Sequence, residues 1–209
     1  MEYVKVGDTD IRVSKLCVGC MSFGKAGTMH DWTLDEKQSE KLVNKALELG
    51  INFFDTANCY SLGTSEEYLG RAIRKYAKRE EVVLASKVYF NEGRLSKQAI
   101  RREIDGTLKR LGTDYLDLYI IHRFDYETPV EETMEALDSL VKDGKVRALG
   151  ASAMYGYQFY NMQMAAEKNG FTKFSAMENH YNLLYREDER ELIPICKQMN
   201  VMLMPYSPL

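Results

Sequence analysis

"LDLYIIHRFD", residues 116–125, is the stretch on which the fold turns. Leu116 to Ile121 is a short, largely apolar run, as expected of a strand covered on both faces, and polar "HRFD" follows at once, as a loop leaves the strand's carboxyl end. On its amino side the spacing predicts a helix from Ser96 to Leu111, closed by Gly112. On its carboxyl side it predicts another from Pro129 to Asp143, closed by Gly144, with Thr128 as cap, Pro129 in the first helical position and Glu131 completing a capping box.

The same grammar runs along the chain. Strands are expected at "LCVGC" (16–20), "NFFD" (52–55), "VVLASK" (82–87), "RALGAS" (147–152), "FSAME" (174–178) and "VMLMP" (201–205). Helices are expected in "TLDEKQSEKLVNKALELG", where Thr33 and Glu36 make a capping box, and in "TSEEYLGRAIRKYA", where Thr64 and Glu67 make another. Two more should cover Tyr157 to Lys168 and part of Glu187 to Met199, the latter kinked or restarted at Pro194. "YVKV" and "IRV" read as a small hairpin around "GDTD". Strict strand–helix alternation means parallel strands joined by right-handed crossovers, in a closed (β/α)8 barrel or an open doubly wound sheet. No G-x-G-x-x-G follows the first strand, which weakens the doubly wound option.

Composition narrows the class of protein. The 209 residues are 45% hydrophobic and 28% charged with a net charge of −3, a balance suited to one globular domain over residues 1–209. Basic residues are interspersed with acidic ones, so neither nucleic acid nor an anionic membrane is an expected partner. The amino terminus lacks a basic and then apolar leader, and no stretch approaches the ~20 apolar residues that span a bilayer, so a cytoplasmic protein is expected. Cys17 and Cys20 spell C-x-x-C, but residues three apart on a strand face opposite ways and no second ligand pair exists. They read as buried structural cysteines, and no metal site is expected.

Chemistry is sought at the carboxyl ends of strands and in the loops after them. Those positions hold Asp55, Tyr60, Lys87 and His122, four polar ionisable groups preceded by apolar residues. Singly, each has an ordinary reading: a loop acceptor, a snorkelling lysine, a satisfied core histidine. Together they make a mechanism. A lysine cation beside a tyrosine favours proton release from the phenol, so Tyr60 can protonate a developing alkoxide; Asp55 fixes Lys87, and His122 donates to the carbonyl oxygen as it becomes an oxyanion. With no metal site or activated serine, the remaining half of the reaction points to a hydride donor, and the reaction class to carbonyl reduction. Trp32 and His30, after the first strand, are candidates for a substrate pocket with Tyr60 and His122; the alternative is a solvent-facing aromatic pinned near the first helix. Cys59, beside Tyr60, is either a reactive thiol or an inert packed one.

"GINFFDTANCYSLGTSEEYLGRAI", "LASKV", "LGTDYLDLYIIHRFD", "GKVRALGASAM" and "ENHYNLLYREDERELIPIC" resemble the aldo-keto reductases over essentially the whole chain. "HDWTLDE" and "NHYNLLYRE" are most similar to the long-loop bacterial members and to the β subunits of voltage-gated potassium channels. The resemblance implies a (β/α)8 TIM barrel whose strand eight and C-terminal helices are absent from this chain. It also implies a small-molecule carbonyl substrate and an NADPH cofactor, with NADH not excluded. Tyr206 would stack on the nicotinamide, Ser152 and Glu178 would hold its carboxamide, Met21, Ser22 and Asp55 would lie against it, and Ser207 to Leu209 would open the pyrophosphate loop. Position 178 is usually glutamine in the family, and position 153, Ala153 here, is often polar. The alternative to a reductase is a non-catalytic, cofactor-sensing relative or a truncated form unable to hold the cofactor.

Overall fold

The structure is a computed structural model and describes residues 1–208. Strands β1 (Tyr3–Lys5) and β2 (Arg12–Ser14) form an antiparallel hairpin. Then β3 (Cys17–Gly19), α1 (Glu36–Glu48), β4 (Phe53–Asp55), α2 (Thr64–Tyr76), β5 (Val83–Val88), α3 (Lys97–Leu111), β6 (Leu116–Ile121), α4 (Val130–Lys142), β7 (Val146–Ser152), α5 (Gly156–Asn169), β8 (Phe174–Glu178), α6 (Leu192–Gln198) and β9 (Met202–Leu203) alternate without exception. Strands β3 to β9 pair in chain order, all parallel, in one seven-stranded sheet. This is the (β/α)8 arrangement with seven of its eight strands, and among the described residues β3 and β9 each have a single neighbour. No helix among the described residues is long and apolar enough to cross a membrane.

Alternation along each strand divides the core in two. Phe54, Leu84, Tyr119, Leu149 and Met177 face the helices and join a large cluster with residues such as Val43, Leu69, Ile104, Leu137 and Phe159. Phe53, Val83, Ala85, Leu118, Ile120, Ala148 and Ala176 face the interior and pack with Val6, Ile11 and Val13 of the hairpin segment. The hairpin therefore plugs the amino end of the sheet, and the concave carboxyl end is left for chemistry.

Three capping boxes read from the sequence are not formed. Helix α1 starts at Asp35, whose carboxylate accepts from the Gln38 amide at 2.8 Å while Gln38 returns the bond. Helices α2 and α4 start after Gly63 and Pro129 with no side-chain cap. The reason is shared: Thr33, Thr64 and Thr128 each donate the hydroxyl three residues back, to the His30 carbonyl at 2.6 Å, the Ser61 carbonyl at 2.7 Å and the Asp125 carboxylate at 2.7 Å. Ser96 does cap α3, and Gly112 closes it at φ 68°.

The last helix is preceded by a 3-10 turn at Glu187–Glu189 and restarts at Leu192. Pro194 then lies in the first turn, where its missing N–H breaks no helical bond. Strand β9 is shorter than the 201–205 expected and pairs with β8, a contact that single hydrogen bonds from Met204 and Tyr206 prolong. The cysteine reading is corrected in part. Cys20 is buried but Cys17 is exposed, since β3 is an edge strand.

Candidate active site

The last inward position on four strands or their exits is polar: Asp55 on β4, Lys87 on β5, Ser152 on β7 and Glu178 on β8, with His122 one residue past β6. Below them on the same faces lie Phe53, Ala85, Ile120, Gly150 and Ala176. An apolar floor thus lifts a ring of ionisable groups to the rim of the sheet.

Lys87 is the centre of that ring. It is fully buried, and its ammonium meets the Asp55 carboxylate directly, the Thr56 carbonyl at 3.1 Å and the Tyr60 hydroxyl at 3.4 Å. Glu178 Oε2 lies 3.3 Å from the same nitrogen. Burial works against the Lys87 cation, but Asp55, Glu178 and Tyr60 outweigh it and hold the ammonium protonated. Tyr60 is pushed well above the ordinary phenol range, by burial first, with Lys87 opposing and Asp55 and Glu178 reinforcing. The lysine therefore does not make Tyr60 a phenolate at rest. It keeps its proton until a stronger base develops beside it.

A tight bend sets the position of Tyr60. Ser61, Leu62 and Gly63 follow at φ 46°, 55° and 89°, all in the left-handed region, held by the Thr64 hydroxyl on the Ser61 carbonyl. Such a run is strained for the two non-glycine residues and persists where surrounding contacts impose it. His122 stands edge-on to Tyr60, ring centroids 5.7 Å apart, and edge-on to Phe90 at 5.0 Å. Burial, then the charges of Lys87 and Arg123, lowers its pKa to about 3, so the imidazole is neutral and has one N–H to donate. Cys59 Sγ is 4.0 Å from its Nδ1, but burial raises that thiol to about 11. That shift, with the half-buried position of Cys59, is in keeping with a thiol rather than a thiolate there.

A cavity of about 920 Å³ reaches this ring, running from hairpin residues Val4 and Val13 past the edge strands β3 and β9. Its wall brings together Met21, Ser22, Trp32, Asp55, Tyr60, His122, Ser152, Glu178, Tyr206 and Ser207, residues expected at the site from distant parts of the sequence. His30 is not part of that wall: it stacks behind Trp32 at 4.1 Å and supports it, because the two rings lie nearly parallel. Leu209 lies outside the described residues. Tyr206 heads a stack in which His180 lies 5.0 Å below it and Tyr185 a further 4.3 Å away, and its amide donates to the Asn179 carbonyl at 2.9 Å.

Phe90 and Arg123 were not singled out in the sequence, although each sits just past a strand's carboxyl end, the position that marked the other four. Arg123 lines the cavity, with its guanidinium 5.7 Å from the Phe90 ring.

Residues 15–209 match the model of the aldo/keto reductase family. The chain belongs to that family. Among curated members of the aldo-keto reductases, it is 42% identical to the aldo-keto reductase AMT2 of Alternaria alternata, covering 99% of this chain and 64% of that one. It is 41% identical to versiconal hemiacetal acetate reductase of Aspergillus parasiticus, covering 100% of this chain and 67% of that protein. A crystal structure of the thermostable aldo-keto reductase Tm1743, in complex with the inhibitor epalrestat, superposes with a TM-score of 0.86 at 32% identity, covering 99% of this chain and 73% of the other. The chain thus spans about two thirds of the length of these curated aldo-keto reductases.

Proposed function

We propose that this chain carries the catalytic half of a cytoplasmic oxidoreductase that reduces small-molecule aldehydes or ketones to alcohols with NADPH, or NADH in its place. The observation that carries the reading is the contact of one buried lysine with both Asp55 and the Tyr60 hydroxyl, at the mouth of the cavity that His122 also lines.

The residues present suit the nicotinamide end of such a cofactor. Glu178 Oε2 is a buried polar atom without a hydrogen-bond partner at the cavity wall, Ser152 lies beside it in register on β7, and Tyr206 offers a supported aromatic surface. When bound, the group would supply the hydride. Ser152 and Glu178 would hold its carboxamide, Tyr206 its ring, and Ser207 the start of its pyrophosphate.

The chain's own residues do the rest. Neutral His122, with Nδ1 turned to Cys59, has Nε2 available for the carbonyl oxygen and polarises it. As that oxygen gains charge, Tyr60 gives up its phenolic proton to it, and the adjacent Lys87 stabilises the phenolate left behind. Asp55 anchors Lys87, so the ammonium cannot swing away to water. Trp32 lines one side of the cavity, and Phe90 packs edge-on against His122 and holds its ring in place.

Carbonyl-dependent oxidation of NADPH, followed by absorbance, tests the reading. Tyr60→Phe is expected to lower kcat by about 10²-fold to 10⁴-fold, the range for removing a general acid. Undiminished turnover in that variant would overturn the assignment. A second reading, a form that holds the cofactor weakly, is favoured by the carboxyl group at position 178, which can add a charge where the family usually has glutamine. Fluorescence of NADPH on titration with protein, in the absence of any carbonyl, separates binding from reduction.

A further inference from the structure

Lys87 has three N–H groups, and all three are used. They point to Asp55, to the Thr56 carbonyl and to the Tyr60 hydroxyl. Glu178 stands 3.3 Å from the nitrogen but accepts no hydrogen bond from it, and Oε2 is left without any partner. The side chain is 9% exposed, so water does not make good the deficit.

The charge count is also unbalanced. Cys17 from β3, Asp55 from β4, Tyr60 from the loop that follows, Lys87 from β5 and Tyr206 beyond β9 are the titratable groups that act on Glu178 or feel its charge. Lys87 is the one cation among them. Arg123 and His122 also line the cavity, the first exposed to water and the second neutral. Two buried carboxylates on one ammonium carry a net negative charge, and removing one proton deficit makes the triad neutral. Asp55 meets the ammonium directly and Glu178 lies 3.3 Å from it, so the proton belongs on the more distant carboxyl.

We propose that Glu178 is a positioning residue that holds a proton through the neutral range, keeping the Asp55–Lys87–Glu178 triad uncharged overall and Lys87 committed to Asp55 and Tyr60. Burial and the nearby Asp55 carboxylate raise its pKa to about 8, against the pull of Lys87. Below that pH, Glu178 is a hydrogen-bond donor at the cavity wall. Above it, the new carboxylate competes for the ammonium, draws the N–H away from the Tyr60 hydroxyl and leaves a net negative wall. The inference deepens the reductase reading, because the proton sits in the same site, but its test requires neither cofactor nor substrate.

The side-chain carboxyl carbons of ¹³C-labelled glutamate, assigned through backbone correlations in the wild-type chain, report the proton directly. The expected result is that the Glu178 carbon titrates between pH 7 and 9. A matched readout is the ring carbon of Tyr60 bearing the hydroxyl. Its shift should follow the Glu178 midpoint in the wild type and stay flat over that range in Glu178→Gln, which has the donor but no proton to lose. A Glu178 carbon titrating below pH 6 overturns the proposal, and the wild-type measurement decides it even if the Gln variant fails to fold. Loss of carbonyl reduction with the titration intact would instead remove the functional reading and leave this one standing.

Discussion

Each end of the parallel sheet buries a charged cluster, and the two are built with opposite balance. At the amino end, Asp117 on β6 is a single carboxylate between two guanidinium groups: Arg79 at 2.7 Å and Arg147 at 2.7 Å, with the Leu84 amide donating to it at 3.0 Å. Both arginines reach water, at 20% and 41% exposure, so the excess positive charge is solvated. At the carboxyl end, one lysine lies between Asp55 and Glu178, and none of the three side chains is more than 9% exposed. The amino-end cluster satisfies every oxygen of its carboxylate and ties β5, β6 and β7 together. The carboxyl-end cluster leaves Asp55 Oδ1 and Glu178 Oε2 without partners, facing a cavity. The satisfied cluster is what a structural role requires; the one with open valences is the one proposed above to meet a ligand.

The contrast can be broken by exchanging roles. The largest effect is expected from Lys87→Met, which removes the cation from Tyr60: carbonyl-dependent NADPH oxidation should fall by at least about 10³-fold. A loss of less than tenfold would show that Tyr60 does not rely on Lys87. Next, Asp117→Ala should cost about 1–3 kcal/mol of stability in urea unfolding, chiefly by leaving the buried Leu84 amide without its acceptor, while NADPH binding is unchanged. If binding collapsed without loss of stability, the division between the two ends would be wrong.

The dependence of stability on pH sharpens the comparison further. Because Glu178 is raised above its unfolded value, 4.5 to about 8, the folded state holds a proton that the unfolded chain has released. Its contribution is therefore complete below the unfolded pKa and is lost as pH rises through the folded one. Wild type should lose stability relative to Glu178→Gln between pH 5 and 8, measured as the difference in urea midpoints. The smallest effect concerns the sheet edges. Amides of β9, paired only with β8, should exchange with deuterium faster than those of β5, which is buried along its whole length with neighbours on both sides. Equal protection would mean that β9 has a second partner in solution.

Much of the site was legible because it obeys a positional rule. Asp55, Lys87 and His122 each end an apolar run, and the run's period already sends them to the interior with Phe53, Ala85 and Ile120. Tyr60 was legible as the tyrosine of the loop that follows the strand ending in Asp55. The misread caps show where local pattern fails. Thr33, Thr64 and Thr128 carry the right neighbours for a capping box, yet a hydroxyl that finds an acceptor three residues back in the preceding loop is not free to face the helix. His30 shows the same limit, since its stacking behind Trp32 is a matter of loop conformation.

What the sequence by itself determined is the alternation of strand and helix, the parallel order that follows from it, and the polar residue at the exit of each buried run, because each depends on periodicity and chain direction alone. What only the tertiary structure decided is which of those exits meet. The family resemblance implied a carboxamide ligand at Glu178; the register of β4, β5 and β8 around a curved sheet makes it the second carboxylate on Lys87. Twist and curvature set that contact, and they are properties of the assembled sheet that no single strand carries.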